Sequence, residues 1–207
     1  MLRIDHVVRV VKDLDEAGDR LLRDQGLVSF PGGTHPRWGT ANRIAPLGRD
    51  YVELISVLDL ATASGTTLGR MLRDLVAAGD AWFALCLADD DIDATCVRLG
   101  LEAVPGSRER PDGSVVRWRG AGIEDERRTP DLPFFLAWDV PAEMHPGAAA
   151  VHHPDGATGI AWVEVAGDPG AFAMWTGGAD LPVRHVGAEP PGIIRVAIAT
   201  PSGEVVL

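Results

Sequence analysis

The same order of secondary-structure signals occurs more than once along this chain, and this repeat constrains the fold more than any other feature. Residues 2–11 have the Ile- and Val-rich pattern of a strand, and the segment from Asp13 to Gly26 has the apolar spacing and end signals of a helix. Three strand patterns follow, the last two at 40–47 and 51–57. The first copy therefore has the order β-α-β-β-β.

The order begins again after a connecting helical pattern, and then a third time in part. Ile4, Trp82 and Ile160 lie 78 residues apart near the start of the three copies. Chance matching of apolar residues is the alternative explanation, because few residues are identical between copies. We predict an α+β fold of repeated βαβββ modules in one compact domain. Its parts are a first module (1–60), a connecting helix (61–81), a second module (82–140), a linker (141–158) and a partial third repeat (159–207).

Three stretches are expected to interrupt this regular pattern. The tripeptide Pro31-Gly32-Gly33 is not expected to continue a regular strand, because Pro lacks an amide donor and Gly weakens a strand interior. Residues 105–131 and 139–158 are rich in charges, Pro and Gly, which is typical of loops.

Charge and cysteine content exclude several classes of protein. The chain has 19 Lys and Arg against 30 Asp and Glu, a net charge of −11, so it lacks the basic excess that nucleic acids or anionic membranes attract. Its apolar runs are shorter than the roughly 18 residues of a membrane span, and its N-terminus does not resemble a secretory signal. Cys86 and Cys96 are predicted to be buried thiols rather than a disulfide framework, and we expect a cytoplasmic protein.

Two polar residues stand out within apolar strands. Alternation places His6 on the strand face of Ile4 and Val8, with Asp5 on the opposite face. Glu53 lies within YVELISV, where an isolated buried carboxylate would be costly. His6 could simply be a core residue bonded to a carbonyl, and Glu53 could face solvent. If the two converge across a curved sheet, they form part of a ligand set for Zn²⁺, Fe²⁺, Mn²⁺ or Ni²⁺.

A third ligand has several candidates in this chain. His35 lies in the glycine-punctuated segment GGTHPRWGT, which could fold over the sheet or remain a surface loop. His152 and His153 are the other candidates, although adjacent residues of an extended segment point in opposite directions. His145 and His185 are expected at the surface. The chain has no nucleophile elbow, dinucleotide fingerprint, P-loop, C-x-x-C or H-E-x-x-H motif.

Several segments resemble the glyoxalase-like branch of the vicinal oxygen chelate superfamily, which includes glyoxalases, dioxygenases and bleomycin resistance proteins. The resemblance rests on RIDHVVRVVKDLDEA, GGTHPRWGTANRIAPLG and DYVELISV within 3–57, and on HHPDGATGIAWVEV within 152–165. It implies paired βαβββ modules whose curled mixed sheets surround a cavity with a divalent metal ion.

The resemblance also implies roles for individual residues. His6 and Glu53 match the metal ligands of the first module, and Glu53 is also the expected catalytic base. The second module departs from the pattern. The position on its first strand that corresponds to His6 falls near Ala84, and its fourth strand offers no ligand before Asp139. His35 or His153 could complete a three-ligand site, or the metal could have been lost. The residues expected to line the substrate pocket are Trp38, Asn42 and Tyr51.

The resemblance leads to a principal function and two alternatives. The principal hypothesis is a divalent-metal-dependent lyase, isomerase or dioxygenase that acts on a small substrate with vicinal oxygens; glyoxalase I itself is less expected. The first alternative is a metal-free protein that binds or sequesters small molecules, and the second is a scaffold with a vestigial site. Modules of this superfamily pair within or between chains, which allows a homodimer, and the third repeat could pair with the first module.

Overall fold

The computed structural model describes residues 1–187 and 190–207, and its elements repeat in the order β-α-β-β-β. The elements of the first module are β1 (Leu2–Val10), α1 (Leu14–Gln25), β2 (Phe30–His35), β3 (Thr40–Pro46) and β4 (Tyr51–Val57). Two connecting helices follow, α2 (Leu60–Ser64) and α3 (Thr67–Ala78). The elements of the second module are β5 (Ala81–Asp89), α4 (Ile92–Leu99), β6 (Val104–Glu109), β7 (Val115–Ala121) and β8 (Phe134–Trp138).

The remaining elements come after two short 3-10 turns. These turns are Ala142–Met144 and Pro146–Ala148. The last elements are β9 (Gly159–Ala166), α5 (Pro169–Thr176), β10 (Val183–Val186), β11 (Gly192–Thr200) and β12 (Gly203–Val206).

The strands of the first two modules form one closed barrel in the order β1-β4-β3-β2-β6-β7-β8-β5. Strands β1 and β5 pair antiparallel along most of their length, whereas β2 and β6 join only at Thr34 and Glu109. Each module thus supplies half of the barrel, and both halves come from one chain. This architecture confirms the predicted α+β fold of curled sheets around a cavity.

The third repeat forms a separate sheet, so the expectation that it could pair with the first module is wrong. Its strands have the order β10-β9-β11-β12. Ile160 and Val163 of β9 and Val196 of β11 pack in one apolar core with Leu85 of β5 and helices α1 and α4. The third repeat therefore covers the outer face of the barrel at the β1–β5 pair.

The chain is irregular at Pro31-Gly32-Gly33, as predicted, but it does not leave the sheet there, because β2 runs through all three residues. The strand accommodates them with a bulge, seen as a register shift between Pro31 and Gly33 opposite β3. Gly33 has φ of 136°, and a Cβ there would lie 1.9 Å from the carbonyl oxygen of Glu109. Gly33 thus allows β6 to approach β2 at the seam. Residues 105–131 likewise include the end of β6 and all of β7 rather than a continuous loop.

Two apolar clusters separate the outside of the barrel from its inside. Val7, Leu87 and Phe135 belong to the outer cluster, against the helices and the third sheet. The inner cluster contains Val8, Cys86 and Phe134, and Leu68 and Leu72 of α3 pack against it. The inner cluster lies beside the cavity described below. Cys86 and Cys96 are free and buried, as predicted, and among the described residues no helix is both long and apolar enough to cross a membrane.

Candidate functional site

The barrel encloses a cavity of about 290 Å³ that combines apolar and polar walls. Its apolar wall includes Trp38, Trp118 and Phe134, and its lining also includes Leu68 and Leu72 from the covering helix α3. Both modules supply polar residues to the lining, which include His6, His35, Asn42, Tyr51 and Glu53 from the first and Glu102, Arg108, Glu124 and Asp125 from the second. The cavity therefore contains most of the site residues that the sequence predicted.

His6 and Glu53 meet at the wall of this cavity. Strands β1 and β4 are parallel neighbours, and Val8 pairs with Glu53 in their register. His6 Nε2 lies 3.4 Å from Glu53 Oε2, and both residues are buried. The Tyr51 ring stacks on the imidazole with 4.4 Å between centroids, and Phe134 meets it edge-on. The two predicted ligands therefore lie side by side with the ring of His6 fixed in place.

A β-bulge places Asp5 beside His6, whereas alternation predicted the opposite face. Ile4 pairs with Leu87 and His6 pairs with Cys86, so the two residues Ile4 and Asp5 span one step of β5. Ile4 packs in the outer cluster, and Asp5 bonds to His6 Nδ1 through Oδ1 at 2.6 Å. Simple strand periodicity cannot reveal such an inserted residue.

Asp5 also accepts hydrogen bonds from two residues near the linker. Trp138 Nε1 donates to Asp5 Oδ2 at 2.8 Å, and His145 Nε2 lies 3.1 Å from the same oxygen. Burial alone would raise the pKa of Asp5, but the bonds from His145 and His6 hold it well below its usual range. The carboxylate is thus ionised and accepts from His6 Nδ1, which turns His6 Nε2 towards Glu53.

The position of His145 corrects the expectation that this residue lies at the surface. Its side chain is 13% exposed, and Nδ1 accepts the amide of Gly147 while Nε2 faces Asp5. Its ring also packs edge-on against Tyr51 and Trp138. The sequence signal was the Pro146-Gly147 turn after His145, which lets the linker fold back over β1.

Asn42 connects Glu53 to a second buried charge. Asn42 Nδ2 donates to Glu53 Oε1, and Asn42 Oδ1 accepts from Arg108 Nη1 at 3.3 Å. Arg108 lies on β6 next to Glu109, which pairs with Thr34 at the seam. Sequence analysis missed Arg108 because it lies in a charged stretch that was interpreted as a loop.

His35 lines the cavity as a neutral imidazole. Its Nδ1 lies 3.0 Å from Thr40 Oγ1, and its Nε2 forms no hydrogen bond with the described residues. Burial lowers the pKa of His35 to about 4, helped by the charges of Arg108 and His6 and opposed by Glu53. A neutral histidine with one free nitrogen retains the lone pair that a metal ion requires.

The structure does not bring His153 to this group. His153 Nδ1 accepts the amide of Val28 at 3.0 Å, and Nε2 donates to the carbonyl of Pro46 at 2.7 Å. Both nitrogens are therefore engaged by backbone outside the cavity. Its neighbour His152 is exposed, and His185 packs on Phe172 in the third repeat.

The second module has apolar residues at the positions that correspond to His6 and Glu53. Ala84 lies 78 residues after His6 and pairs with Val8. Cys86 pairs with Phe134 as Val8 pairs with Glu53, so Phe134 is the counterpart of Glu53. Ala84 and Phe134 have no ligand atoms, in agreement with the departure that the sequence indicated.

One cluster of three side chains has ligand atoms close enough to hold a metal ion among the described residues: Asp5, His6 and Cys86, within 4.8 Å of one another. Both Asp5 oxygens already accept hydrogen bonds, and burial together with Asp5 and Glu53 raises the pKa of the Cys86 thiol well above its usual value. Asp5 therefore suits the role of orienting His6. His6 Nε2 and Glu53 Oε2 face each other at 3.4 Å, and an imidazole nitrogen and a carboxylate oxygen are common ligand atoms for a divalent cation.

A family described as "Glyoxalase-like domain" matches residues 4–177 of the sequence. The chain belongs to this glyoxalase-like family. The superfamily resemblance seen in the sequence motifs is thereby confirmed. A search of curated proteins found no match.

Solved structures support the fold of this glyoxalase-like chain. A hypothetical protein from Staphylococcus aureus has a TM-score of 0.70 at 16% identity, covering 100% of this chain and 84% of the other. Methylmalonyl-CoA epimerase from Mycobacterium tuberculosis has a TM-score of 0.45 at 20% identity, covering 66% and 86%. A variant of the Streptomyces coelicolor epimerase in complex with 2-nitronate-propionyl-CoA has a TM-score of 0.48 at 18% identity, covering 67% and 98%. The similarity to the Staphylococcus aureus protein supports the architecture and does not distinguish one activity from another.

Proposed function

We propose that this glyoxalase-like protein is a divalent-metal-dependent lyase, isomerase or dioxygenase for a small substrate with vicinal oxygens. The observation that carries the proposal is the pair of potential ligand atoms, His6 Nε2 and Glu53 Oε2, 3.4 Å apart at the cavity wall. Two lone pairs at this distance repel unless a proton or a metal ion lies between them. His6, Glu53 and His35 would hold the ion, which would be Zn²⁺, Fe²⁺, Mn²⁺ or Ni²⁺.

The metal ion would supply Lewis-acid stabilisation of an oxyanion on the substrate. Asp5 fixes the tautomer and the direction of His6, as carboxylates commonly do for ligating histidines. Glu53 is the base proposed to move a proton at the substrate carbon, and Asn42 holds its second oxygen. Trp38 and Trp118 would exclude water from the apolar end of the cavity. Burial raises the pKa of Tyr51 well above its usual value, so it remains a neutral phenol. The buried free thiols support the proposal of a cytoplasmic location.

Elemental analysis of the protein, purified without chelator or histidine tag, tests the metal site. We expect near-stoichiometric metal in the parent protein and its loss in His6→Ala and in Glu53→Ala. The matched control is His152→Ala, because His152 is an exposed histidine outside the cavity. Retention of metal by both His6→Ala and Glu53→Ala would contradict the proposal.

The reaction can be sought with metal-loaded protein and a panel of vicinal dicarbonyls and catechols. We expect Glu53→Gln to lower kcat at least about 100-fold on any substrate found, because general base catalysis contributes roughly this much. Turnover by the parent that Glu53→Gln leaves unchanged would exclude Glu53 as the base.

A metal-free binding protein is the second candidate, and the apolar residues Ala84 and Phe134 at the second-module positions favour it. In that case Glu53 or His6 would hold a proton between His6 Nε2 and Glu53 Oε2. Tight binding of a small aromatic molecule by protein that takes up none of Fe²⁺, Mn²⁺, Ni²⁺ and Zn²⁺ would support this candidate. Metal-dependent turnover would exclude it.

A further inference from the structure

Arg108 is a buried positive charge without a carboxylate partner. It is 4% exposed and lines the cavity, and within residues 1–187 and 190–207 its guanidinium forms no salt bridge. Its one hydrogen bond to a described residue joins Nη1 to Asn42 Oδ1, while the buried Nε has no partner. A buried charge is costly unless it is paired, and no carboxylate contacts this guanidinium directly, since Glu53 reaches it only through Asn42.

The backbone of β2 makes room for this side chain. A Cβ at Gly32 would lie 2.8 Å from Arg108 Nη1 and 2.4 Å from Asn42 Oδ1. A Cβ at Gly33 would lie 3.2 Å from Arg108 Cγ. The glycine pair thus forms a cradle for the guanidinium, which indicates that its position is built into the fold.

The surroundings of Arg108 specify where a bound anion would lie. Asn42 bonds to both the guanidinium and Glu53, so Arg108 lies at the same end of the cavity as His6 and Glu53. The unpaired indole Nε1 of Trp38 is a second buried donor in the lining of this cavity. The lining also includes the apolar rings of Trp118 and Phe134. A ligand that suits both the donors and the rings is therefore a short molecule with an anionic head and an apolar body.

We propose that Arg108 binds the carboxylate of a small 2-oxo or 2-hydroxy acid whose apolar side chain lies against Trp118 and Phe134. Such an acid places its second oxygen next to the carboxylate, which makes it a molecule with vicinal oxygens. The inference rests on the proposed function, because it identifies the substrate class of the same site. Guanidinium groups bind carboxylates through paired, charge-assisted hydrogen bonds, and Arg108 Nη2 and Nε are free to donate to one.

Calorimetric titration of metal-free protein with mandelate and with its neutral amide, mandelamide, tests the inference. Removing metal with a chelator isolates Arg108, since a metal ion would also attract a carboxylate. We expect mandelate to bind about 10- to 100-fold more tightly than mandelamide, the range for a hydrogen bond to a charged group. Equal affinities, or no binding of mandelate at millimolar concentration, would overturn the inference.

Two variants show whether Arg108 causes the preference. Arg108→Gln should reduce it to less than about threefold, whereas Arg117→Gln, the same substitution at an exposed position of β7, should preserve it. Circular dichroism checks the fold of each variant, and the neutral Arg108→Met replaces Arg108→Gln if the latter does not fold. A full preference for mandelate in folded Arg108→Gln or Arg108→Met would exclude Arg108 as the carboxylate site.

The two proposals in this site can fail separately. A preference for mandelate that depends on Arg108, in a protein that never takes up metal, would contradict the proposed enzyme and support the carboxylate site. Metal held by His6 and Glu53, in a protein that binds mandelate and mandelamide equally, would support the proposed enzyme and contradict the carboxylate site.

Discussion

The two halves of the barrel share strand order and register, but their cavity faces carry different chemistry. In the first half, β1 and β4 present His6 and Glu53, and in the second half β5 and β8 present Ala84 and Phe134. The halves also differ in their links, with a long β1–β5 pairing on one side and a single Thr34–Glu109 pair on the other. The comparison teaches that a repeated backbone can place functional groups in one copy and packing groups in the other.

Substitution at the two corresponding positions should separate packing from chemistry. Phe134→Ala should lower the free energy of unfolding by about 2–4 kcal/mol, because it removes a ring from the inner apolar cluster. This loss is at the lower end of the range for Phe→Ala substitutions, because one side of the ring already faces the cavity. Glu53→Gln should change stability by less than about 1 kcal/mol, because the amide preserves size and can still bond Asn42. Urea unfolding of metal-free protein measures both. A larger loss for Glu53→Gln than for Phe134→Ala would invalidate this division of roles.

The orientation of His6 by Asp5 gives the next largest effect. Asp5→Asn should weaken metal binding about 10- to 100-fold, as loss of the partner of a ligating histidine commonly does. Metal titration with a competing chelator measures the change. Asp139→Asn is the control, because Asp139 is an exposed carboxylate just after β8 in the second half. Equal affinity of Asp5→Asn and the parent would show that Asp5 does not position His6.

Sequence patterns predicted the barrel better than they predicted the site. Apolar alternation and helix end signals are local, and they located most of the strands and helices of both modules. Convergence of His6 and Glu53 followed from the superfamily resemblance and from their positions on the first and fourth strands. Asp5 escaped prediction because one inserted residue in β1 reverses the alternation, and no local propensity marks a bulge of this kind.

Long-range contacts account for the other errors. Arg108 and His145 look like surface residues in polar, turn-rich segments, and only the pairing of β6 with β2 and the return of the linker bury them. His153 failed as a candidate for a related reason, since its two nitrogens bond to Val28 and Pro46, which are distant in sequence. Partners of this kind are fixed by tertiary structure, which periodicity does not describe.

The glycine cradle under Arg108 provides a test at the seam between the halves. Gly32→Ala should lower the free energy of unfolding by about 1–3 kcal/mol, because the new Cβ would crowd Asn42 and Arg108 and neither can move freely in the buried wall. The matched control is Gly159→Ala, where a Cβ would meet the nearest atom, Asp50 Oδ2, at an ordinary 3.6 Å. Thermal unfolding compares the two. A similar change in both variants would mean that the β2 backbone does not need the space at Gly32.

The smallest expected effect concerns the aspartates that precede the fourth strand of each half. Asp50 lies three residues before Glu53, and Asp131 lies three residues before Phe134. Both aspartates contact the third repeat. Asp50 Oδ1 accepts the amide of Ile160, and Asp131 lies against Gly167. Burial raises the pKa of Asp50 to about 7. The hydrogen bond from the Ile160 amide lowers this pKa, and the nearby charge of Asp5 raises it. The folded state therefore holds this proton more tightly than the unfolded state does. The contribution of the neutral carboxyl to stability is present at low pH and is lost as the pH rises from about 4 to about 7.

Asp50→Asn removes this dependence while retaining an oxygen that can accept the Ile160 amide. We expect Asp50→Asn to gain stability relative to the parent by about 1–2 kcal/mol between pH 5 and pH 8, a value reduced from the full shift to allow for solvent screening. Asp112→Asn should show no such gain, because hydrogen bonds with Ser114 lower the pKa of that exposed carboxyl rather than raise it. Urea unfolding of the three proteins at both pH values measures the difference. The other ionisable groups are common to all three proteins and largely cancel. An equal pH response of Asp50→Asn and the parent would mean that Asp50 is ionised in the folded protein, so that the first half is held to the third repeat by a charged carboxylate.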